Sequence, residues 1–201
     1  EAFFFSLVLN LTQVLGVDFA FVGRVIGEQC DAVETLAFAQ DGKIAKNFQY
    51  SLTNTPCRTV VGQKICIYGE NVQELFPQDK GLVTMGVTSY IGAPLFASNG
   101  TALGLIVAMG RRPLHNAQEV EAMLRIFAIR AAAEMEREIT EQALRRSESQ
   151  YRVLFDQAAD GIFVHNQEGL ILDANRVALE RLGQPKEKVV GLSIYDILSG
   201  W

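Results

Sequence analysis

Apolar residues recur at three- and four-residue intervals over residues 116–149, the longest such pattern in the chain. The segment contains neither Gly nor Pro and is rich in strong helix formers, so we predict one long helix. Asn116 and Glu119 have the spacing of a capping box, which predicts the start of this helix. At about 1.5 Å per residue the helix would extend about 50 Å, more than one domain of this size needs to cover a face.

The apolar positions of the predicted helix form a stripe that changes phase once. The stripe consists of Leu124, Ala128, Ala131, Met135 and Ile139, followed in a new phase by Leu144. Such a phase change interrupts a heptad seam and locally alters supercoiling. We therefore predict a coiled-coil-like connecting helix whose first half packs on its own domain and which pairs in parallel with its copy in a homodimer. The alternative is an ordinary amphipathic helix packed only on its own domain.

The N-terminal residues combine a helical period with strand alternation. A helical stripe ends at Gly16, and residues 18–26 and 32–38 then alternate as the two strands of a hairpin. Asn99-Gly100, the strongest short hairpin signal, separates two further strands. Pro94 predicts an edge or a bulge in the first of them.

Three short helices are predicted between the two hairpins. Thr55 precedes Pro56 as an N-cap, Asn71 and Glu74 form a capping-box pattern, and Asp79 is a third N-cap. With the strands, this order predicts an α+β fold, an antiparallel sheet with helices on its faces.

Composition narrows the class of protein. The chain has 201 residues, 49% of them hydrophobic, and a net charge of −5. No basic patch with interleaved aromatic residues occurs, so nucleic acid is not an expected partner. The apolar run at residues 3–9 is too short to cross a membrane, and no membrane contact is expected from this segment.

An odd number of cysteines, three, without a secretory signal predicts a reducing, cytoplasmic location. The chain starts without Met and stops at Trp201, which we interpret as a fragment of a longer protein.

The N-terminal part resembles a GAF domain of bacterial signalling proteins. The shared elements are Thr55-Pro56-Cys57, Cys66, Phe76-Pro77-x-Asp79, Ser89-Tyr90-x-Gly92-x-Pro94-Leu95 and Leu103-Gly104. The combination is specific, although each piece alone is weak, and it covers nearly all of residues 1–130. We assign residues 1–115 to a GAF sensor domain and residues 116–149 to the connecting helix.

Residues 150–201 resemble the start of a PAS domain. A helix carrying Tyr151 and Phe155 precedes a strand at residues 161–165, and Asn175 stands where the next helix needs an N-cap. The resemblance implies three further strands that this chain lacks, so the fold class includes a truncated PAS α/β unit. We expect its open edge and apolar face to leave it poorly ordered or covered by another copy.

Catalytic motifs are absent from the sequence. Neither His115 nor His165 has a partner at metal-ligand spacing, and no phosphate-binding loop or nucleophile elbow occurs. We predict no enzymatic activity for this segment, no metal, and no cofactor that any motif requires. Cys57, in the first turn of a predicted helix, has the setting of a low-pKa thiol. With Cys66 it is a candidate redox pair or cofactor anchor; the alternative is that both are small core residues.

A small-molecule cavity is implied by the resemblance, since GAF domains hold ligands between the sheet and the crossover helices. The candidate residues are Phe19, Phe21, Tyr50, Cys57, Cys66, Phe76, Met85 and Tyr90. No His follows either cysteine, and the cyclic-nucleotide signature of this family is missing, so the resemblance names neither a bilin nor a cyclic nucleotide. The alternative is that these side chains only fill the core.

The resulting hypothesis is a sensory segment of a bacterial signal-transduction protein of the sensor histidine kinase or diguanylate cyclase type. The GAF domain would sense a small ligand or a redox state, and the parallel helices would relay it to the PAS domain and an output domain. Two alternatives stay open. One is a ligand-free GAF/PAS dimerisation module. The other is the regulatory part of an enzyme, a histidine kinase of a two-component system or a diguanylate cyclase, whose catalytic domain lies beyond Trp201.

Overall fold

The computed structural model describes residues 2–27 and 29–198, without the side chain of Leu198. The chain divides into two compact units, Glu1–Glu138 and Ile139–Trp201. The first unit contains the sheet and its flanking helices, and helix α4 (Ala117–Gln157) contributes residues to both units.

Seven strands of the described chain form one antiparallel sheet in the first unit. Their spatial order is β3-β2-β1-β7-β6-β5, and β4 also pairs with β2. The strands are β1 (Phe19–Ile26), β2 (Ala32–Gln40), β3 (Lys43–Ala45), β4 (Gln49–Ser51), β5 (Cys66–Tyr68), β6 (Ser89–Phe96) and β7 (Ala102–Gly110). The hairpin predicted from alternation, β1–β2, and the one predicted from Asn99-Gly100, β6–β7, are both present, with Asn99-Gly100 in the second connection.

Strand alternation divides the core of this unit into two layers. On β6, Ile91 and Ala93 face one layer, with α1 (Ala2–Leu15) and α4, whereas Tyr90 faces the other. The second layer lies under the crossover, which contains a 3₁₀ turn (Pro56–Thr59), α2 (Val72–Leu75) and α3 (Lys80–Met85). Both faces of the central strands are therefore buried, as the α+β prediction requires.

One close backbone approach fixes the pairing of β1 with β7. A Cβ atom at Gly104 would lie 2.0 Å from the carbonyl oxygen of Gly23, and the register of β1 with β2 shifts between Val22 and Gly23. Pro94 lies on β6 beyond the three residues that pair with β5, so its missing N–H faces an edge, as predicted.

The predicted helix starts were right in position but wrong in part of their chemistry. Asp79 caps α3 as predicted, accepting hydrogen bonds from the N–H groups of Gly81 at 3.0 Å and Leu82 at 3.3 Å. Thr55 makes no side-chain cap, because its hydroxyl donates to the Leu52 carbonyl at 2.8 Å. Asn71 adopts a left-handed conformation with φ of 57° and makes no side-chain cap either.

The capping box predicted at the start of α4 is also absent. Asn116 has φ of 55°, and its side-chain amide nitrogen, Nδ2, donates to the Glu119 carboxylate at 3.3 Å. The backbone N–H of Glu119 donates to the Asn116 carbonyl at 3.0 Å instead of to its side chain. The position of the helix start is nevertheless within one residue of the prediction.

Helix α4 differs in length from the connecting helix predicted at residues 116–149, because it continues without a break to Gln157. The residues of the predicted stripe differ in burial. Leu124, Ala128, Ala131 and Met135 are buried in the layer with Ile91. Ile139 and Leu144, in contrast, are 42% and 59% exposed.

The second unit has a small core of its own. It contains the hairpin of β8 (Phe163–His165) and β9 (Ile171–Ala174), followed by α5 (Arg176–Leu182), α6 (Lys186–Val189) and α7 (Ile194–Leu198). Its apolar core cluster consists of the buried residues Ile171, Ala174, Ala178, Val189 and Ile194. The apolar side chains of Leu170 and Leu172 are 42% and 56% exposed.

Candidate ligand-binding site

A cavity of about 380 Å³ opens on the crossover side of the sheet. Strands β1, β4, β6 and β7 form its floor, and the 3₁₀ turn and α3 form its opposite wall. Its lining residues are Phe21, Phe48, Tyr50, Ser51, Thr53, Thr55, Pro56, Cys57, Gln78, Asp79, Lys80, Gly81, Leu82, Met85, Tyr90 and Met109. The volume lies within the range of small-molecule pockets.

The structure brings five of the eight candidate residues to this cavity. They are Phe21, Tyr50, Cys57, Met85 and Tyr90. The other three belong to the same core layer without lining the cavity. Phe19 stacks on Phe38 at 6.4 Å between ring centroids, and Phe76 packs edge-to-face on Tyr68 at 5.2 Å. Cys66 is half-buried, and its thiol donates to the Thr59 carbonyl at 3.3 Å.

Sequence reasoning missed several lining residues. Met109 is the direct cross-strand partner of Tyr90, so the hairpin register and strand alternation carried the signal for it. Phe48 precedes β4 in an irregular segment, where no periodicity exists. Phe48 is held by Thr35, a residue distant in sequence. The backbone and hydroxyl groups of Thr35 form hydrogen bonds of 2.8–3.1 Å with the backbone of Phe48.

The Cys57 thiol lies at the deep end of the cavity between two tyrosines. The Tyr50 hydroxyl donates to Sγ at 3.2 Å and the Tyr90 hydroxyl at 3.3 Å. Burial raises the pKa of Cys57 from 9.0 to about 11, although both tyrosine hydrogen bonds act to lower it. Burial, and then the neighbouring thiol, likewise raise the pKa values of Tyr50 and Tyr90 well above 10.0.

The prediction of a low-pKa thiol at Cys57 is therefore wrong in direction. The helix that was expected to lower the pKa is a single 3₁₀ turn of four residues, which carries little dipole. Desolvation of the thiolate outweighs it. Since the thiolate is the reactive form, Cys57 is a neutral, slow thiol at physiological pH.

Gly92 makes the tyrosine arrangement possible. Gly92 and Tyr90 are two residues apart on β6, so they share one face of the sheet. A Cβ atom at Gly92 would lie 2.6 Å from the Tyr90 hydroxyl oxygen and 2.9 Å from Cγ2 of Val60. The absence of a side chain there lets the Tyr90 ring lie over the strand and reach Cys57.

Asp79 provides the acidic group at the rim. Its Oδ1 atom accepts the two N–H groups that begin α3, and partial burial raises the pKa of its carboxyl group. The adjacent Lys80 is exposed. No group of three or more His, Cys, Asp or Glu side chains suited to a metal ion occurs among the described residues.

The opposite face of the sheet carries an open groove of about 690 Å³ between the β6 edge and α4. Its floor is formed by small or apolar residues, among them Ala93, Pro94 and Ala132. Glu136 of α4 accepts the backbone N–H of Ser98 at 3.1–3.2 Å and its hydroxyl at 2.6 Å. This contact joins the turn after β6 to α4.

A sensor protein is similar to this chain over part of its length. The chain is 27% identical over 115 residues to the methyl sulfide methyltransferase-associated sensor of Methanosarcina acetivorans, a match that covers 57% of this chain and 12% of that protein. The chain thus spans about one eighth of the length of this relative.

Two solved structures show the same fold at low identity. The blue-light absorbing form of the Thermosynechococcus elongatus PixJ GAF domain matches with a TM-score of 0.59 and 15% identity, covering 75% of this chain and 92% of that one. The chromophore-binding domain of bacteriophytochrome RpBphP3 from R. palustris matches with a TM-score of 0.54 and 13% identity, covering 70% and 56%.

No helix within residues 2–27 and 29–198 has the length and apolar character needed to span a membrane. The family profile of the PAS domain matches residues 149–201, and that of the GAF domain matches residues 1–135. The GAF and PAS domain matches, together with the sensor relative, agree with a sensory signalling role. The chain belongs to the GAF domain family and continues into a PAS domain.

Proposed function

We propose that the GAF domain is a small-molecule sensor and that helix α4 relays the occupancy of its cavity to the PAS domain. The observation that carries the proposal is the cavity itself, which is walled by aromatic and thioether side chains and has polar groups at its rim. A GAF domain that served only for dimerisation would be expected to fill this cavity with its own side chains.

A short path leads from the cavity to α4. Tyr90 lines the cavity, and its neighbour Ile91 is buried on the other face of β6, in the same cluster as Leu124 and Ala128 of α4. A ligand that displaces the Tyr90 ring would act on the β6 backbone and, through Ile91, on the buried layer that contains the α4 residues. Such coupling needs two arrangements that differ by a few kcal/mol at most.

The relay beyond the GAF domain is proposed to use a parallel pair of α4 helices. Ile139 and Leu144 are exposed apolar residues of this helix, available to a second copy. The buried residues Leu124, Ala128, Ala131 and Met135 would respond to the sheet, and Ile139 and Leu144 to the partner helix. A cytoplasmic location, and a histidine kinase or diguanylate cyclase as output domain, belong to the same proposal.

Redox sensing at Cys57 has less support than ligand sensing. All three cysteines are free thiols, but Cys57 is buried with a raised pKa and Cys66 donates to a backbone carbonyl. The GAF structures named above come from a light-absorbing and a chromophore-binding protein, which supports a bound organic ligand as the input.

Native mass spectrometry of the purified chain, with a thermal shift scan of small molecules, tests the sensor proposal. Thr53→Phe fills the cavity rim with an aromatic ring, and Thr84→Phe makes the same change at an exposed site outside it. We expect a retained mass or ligand-dependent stabilisation that Thr53→Phe abolishes and Thr84→Phe preserves. If no compound is retained or stabilises the wild type, the dimerisation module is the better explanation.

A further inference from the structure

The deep end of the cavity is an acceptor site. Both tyrosine hydroxyls, of Tyr50 and Tyr90, use their hydrogen atoms on the Cys57 sulfur. A phenol hydroxyl has one donor and two acceptor lone pairs, so each oxygen still accepts. With both hydrogens on the sulfur, hydrogen-bond donors are the ligand groups that complement these two oxygens.

The rim of the cavity also offers a hydrogen-bond acceptor. The hydrogen bonds of the Asp79 carboxylate, within the described residues, all go to Oδ1, which leaves Oδ2 to accept from a ligand. Lys80, exposed at the rim, is the one cationic side chain among the lining residues that the structure describes. A phosphate or carboxylate ligand would meet Asp79 without the arginine fork that commonly binds such groups.

The aromatic and thioether side chains of the cavity walls suit a flat aromatic ring. Phe21 and Tyr50 meet edge-to-face at 6.0 Å, and the Phe48 and Tyr50 centroids are 5.7 Å apart. Met85 and Met109 add thioether sulfurs, which make favourable contacts with aromatic rings.

On the basis of the proposed sensor function, we infer that the ligand is an aromatic heterocycle that donates an N–H hydrogen bond and carries no anionic group. Its N–H group binds the tyrosine oxygens next to Cys57, and its ring lies between the aromatic and thioether walls. This class excludes phosphorylated and carboxylated compounds and includes neutral or cationic nitrogen heterocycles.

The four methionines provide the measurement. Met85 and Met109 line the cavity, whereas Met123 and Met135 belong to α4. The full chain, labelled on the methionine methyl groups, is titrated by NMR with benzimidazole, N-methylbenzimidazole and benzimidazole carboxylate. We expect benzimidazole to shift the Met85 and Met109 signals and to bind about five- to tenfold more tightly than its N-methyl derivative. The carboxylate is expected to bind more weakly than both.

Tyrosine variants locate the hydrogen bond. Tyr50→Phe and Tyr90→Phe keep the ring and remove the acceptor, so each is expected to reduce the preference for benzimidazole. Tyr68→Phe is the matched control, because its hydroxyl lies 3.2 Å from that of Thr59 and does not line the cavity. Unchanged Met123 and Met135 signals in the free variants would show that the fold is intact.

Two results would overturn the ligand class. Equal or tighter binding of N-methylbenzimidazole or of the carboxylate at the cavity would do so while leaving the sensor function standing, since the cavity would still bind a small molecule. Absence of any shift at Met85 and Met109 with all three probes would also reject the class. The sensor function would then be decided separately by the retained mass and by the Thr53→Phe variant.

Discussion

Tyr90 and Ile91 are adjacent on β6, and both are completely buried, but on opposite faces of the sheet. Tyr90 closes the cavity through its hydrogen bond to Cys57, and Ile91 packs in the cluster that includes Leu124 of α4. A single peptide unit therefore joins the candidate site to the core layer that contains residues of α4.

Gly92→Ala should force the Tyr90 ring away from Cys57. Overpacking of this kind typically costs about 1–3 kcal/mol, because the clash is with a packed ring and with Val60. Urea denaturation measures the loss. In the double variant with Tyr90→Phe the hydroxyl that clashes is gone, so the loss should be smaller than the sum of the two single changes. Strict additivity would contradict the contact.

Cys57 should react slowly with iodoacetamide at neutral pH, whereas Cys30, which is exposed, should react quickly. Mass spectrometry of partially labelled protein distinguishes the two sites. Fast labelling of Cys57 in the folded chain would contradict its burial and its raised pKa. Unfolding in urea should make the two rates similar.

Stability should fall as pH rises from about 9 to about 11. The folded-state pKa of Cys57, about 11, is above its usual value of 9.0, so the unfolded chain releases this proton first and binds fewer protons in that range. The loss is on the order of 2–3 kcal/mol, and Cys57→Ala should remove it. The raised pKa values of Tyr50 and Tyr90 add a loss of the same sign above about pH 10. The variant should retain the part of this loss that comes from burial, the largest cause, and lose the part that comes from the thiol.

Asp79→Ala should destabilise the GAF domain by about 1 kcal/mol, because it removes the side-chain cap of α3. Asp79→Asn keeps a good capping oxygen and relieves the partial burial of a charge. Thermal denaturation at neutral pH should therefore show a loss for Ala and none for Asn. Equal losses would indicate that the charge stabilises the domain more than the cap does.

Ala131→Leu should destabilise the GAF domain rather than strengthen a helix pair. Ala131 is completely buried in the layer beneath α1 and α4, where added methyl groups cost about 1–3 kcal/mol. Gln142→Leu, at an exposed position of the same helix, is the matched substitution. We expect Gln142→Leu to keep stability and to favour dimers in analytical ultracentrifugation. A stable Ala131→Leu variant with increased dimerisation would contradict this assignment.

Asn175→Ala should selectively destabilise the PAS unit. Asn175 is fully buried, and its Oδ1 accepts the N–H groups of Ile162 and Ala178 at 2.8 and 2.9 Å. Its amide nitrogen donates at 2.9 Å to the carbonyls of Phe155, in the last turns of α4, and Asp160. Losing these partners should cost about 2–4 kcal/mol, because the backbone groups left behind stay buried. Hydrogen exchange at Ile162 and Ala178 should accelerate, while exchange in β6 stays unchanged.

The sequence by itself determined the order of the elements and several of their ends. Alternation predicted the first hairpin, Asn99-Gly100 predicted the second, and Asp79 and Asn175 were identified as N-caps. These features depend on neighbours within a few residues, so the local spacing of residue types is enough to predict them.

Tertiary structure alone decided the chemistry of the site. The direction of the Cys57 pKa shift depends on burial under residues as far away as Tyr90, which is 33 positions along the chain. Burial also decided that Ala131 belongs to the core of its own domain, while Leu144 of the same helix is exposed. A local pattern specifies which face of an element is apolar. Only the packing of distant segments determines which neighbour covers that face, and with it the local dielectric and the hydrogen-bond partners.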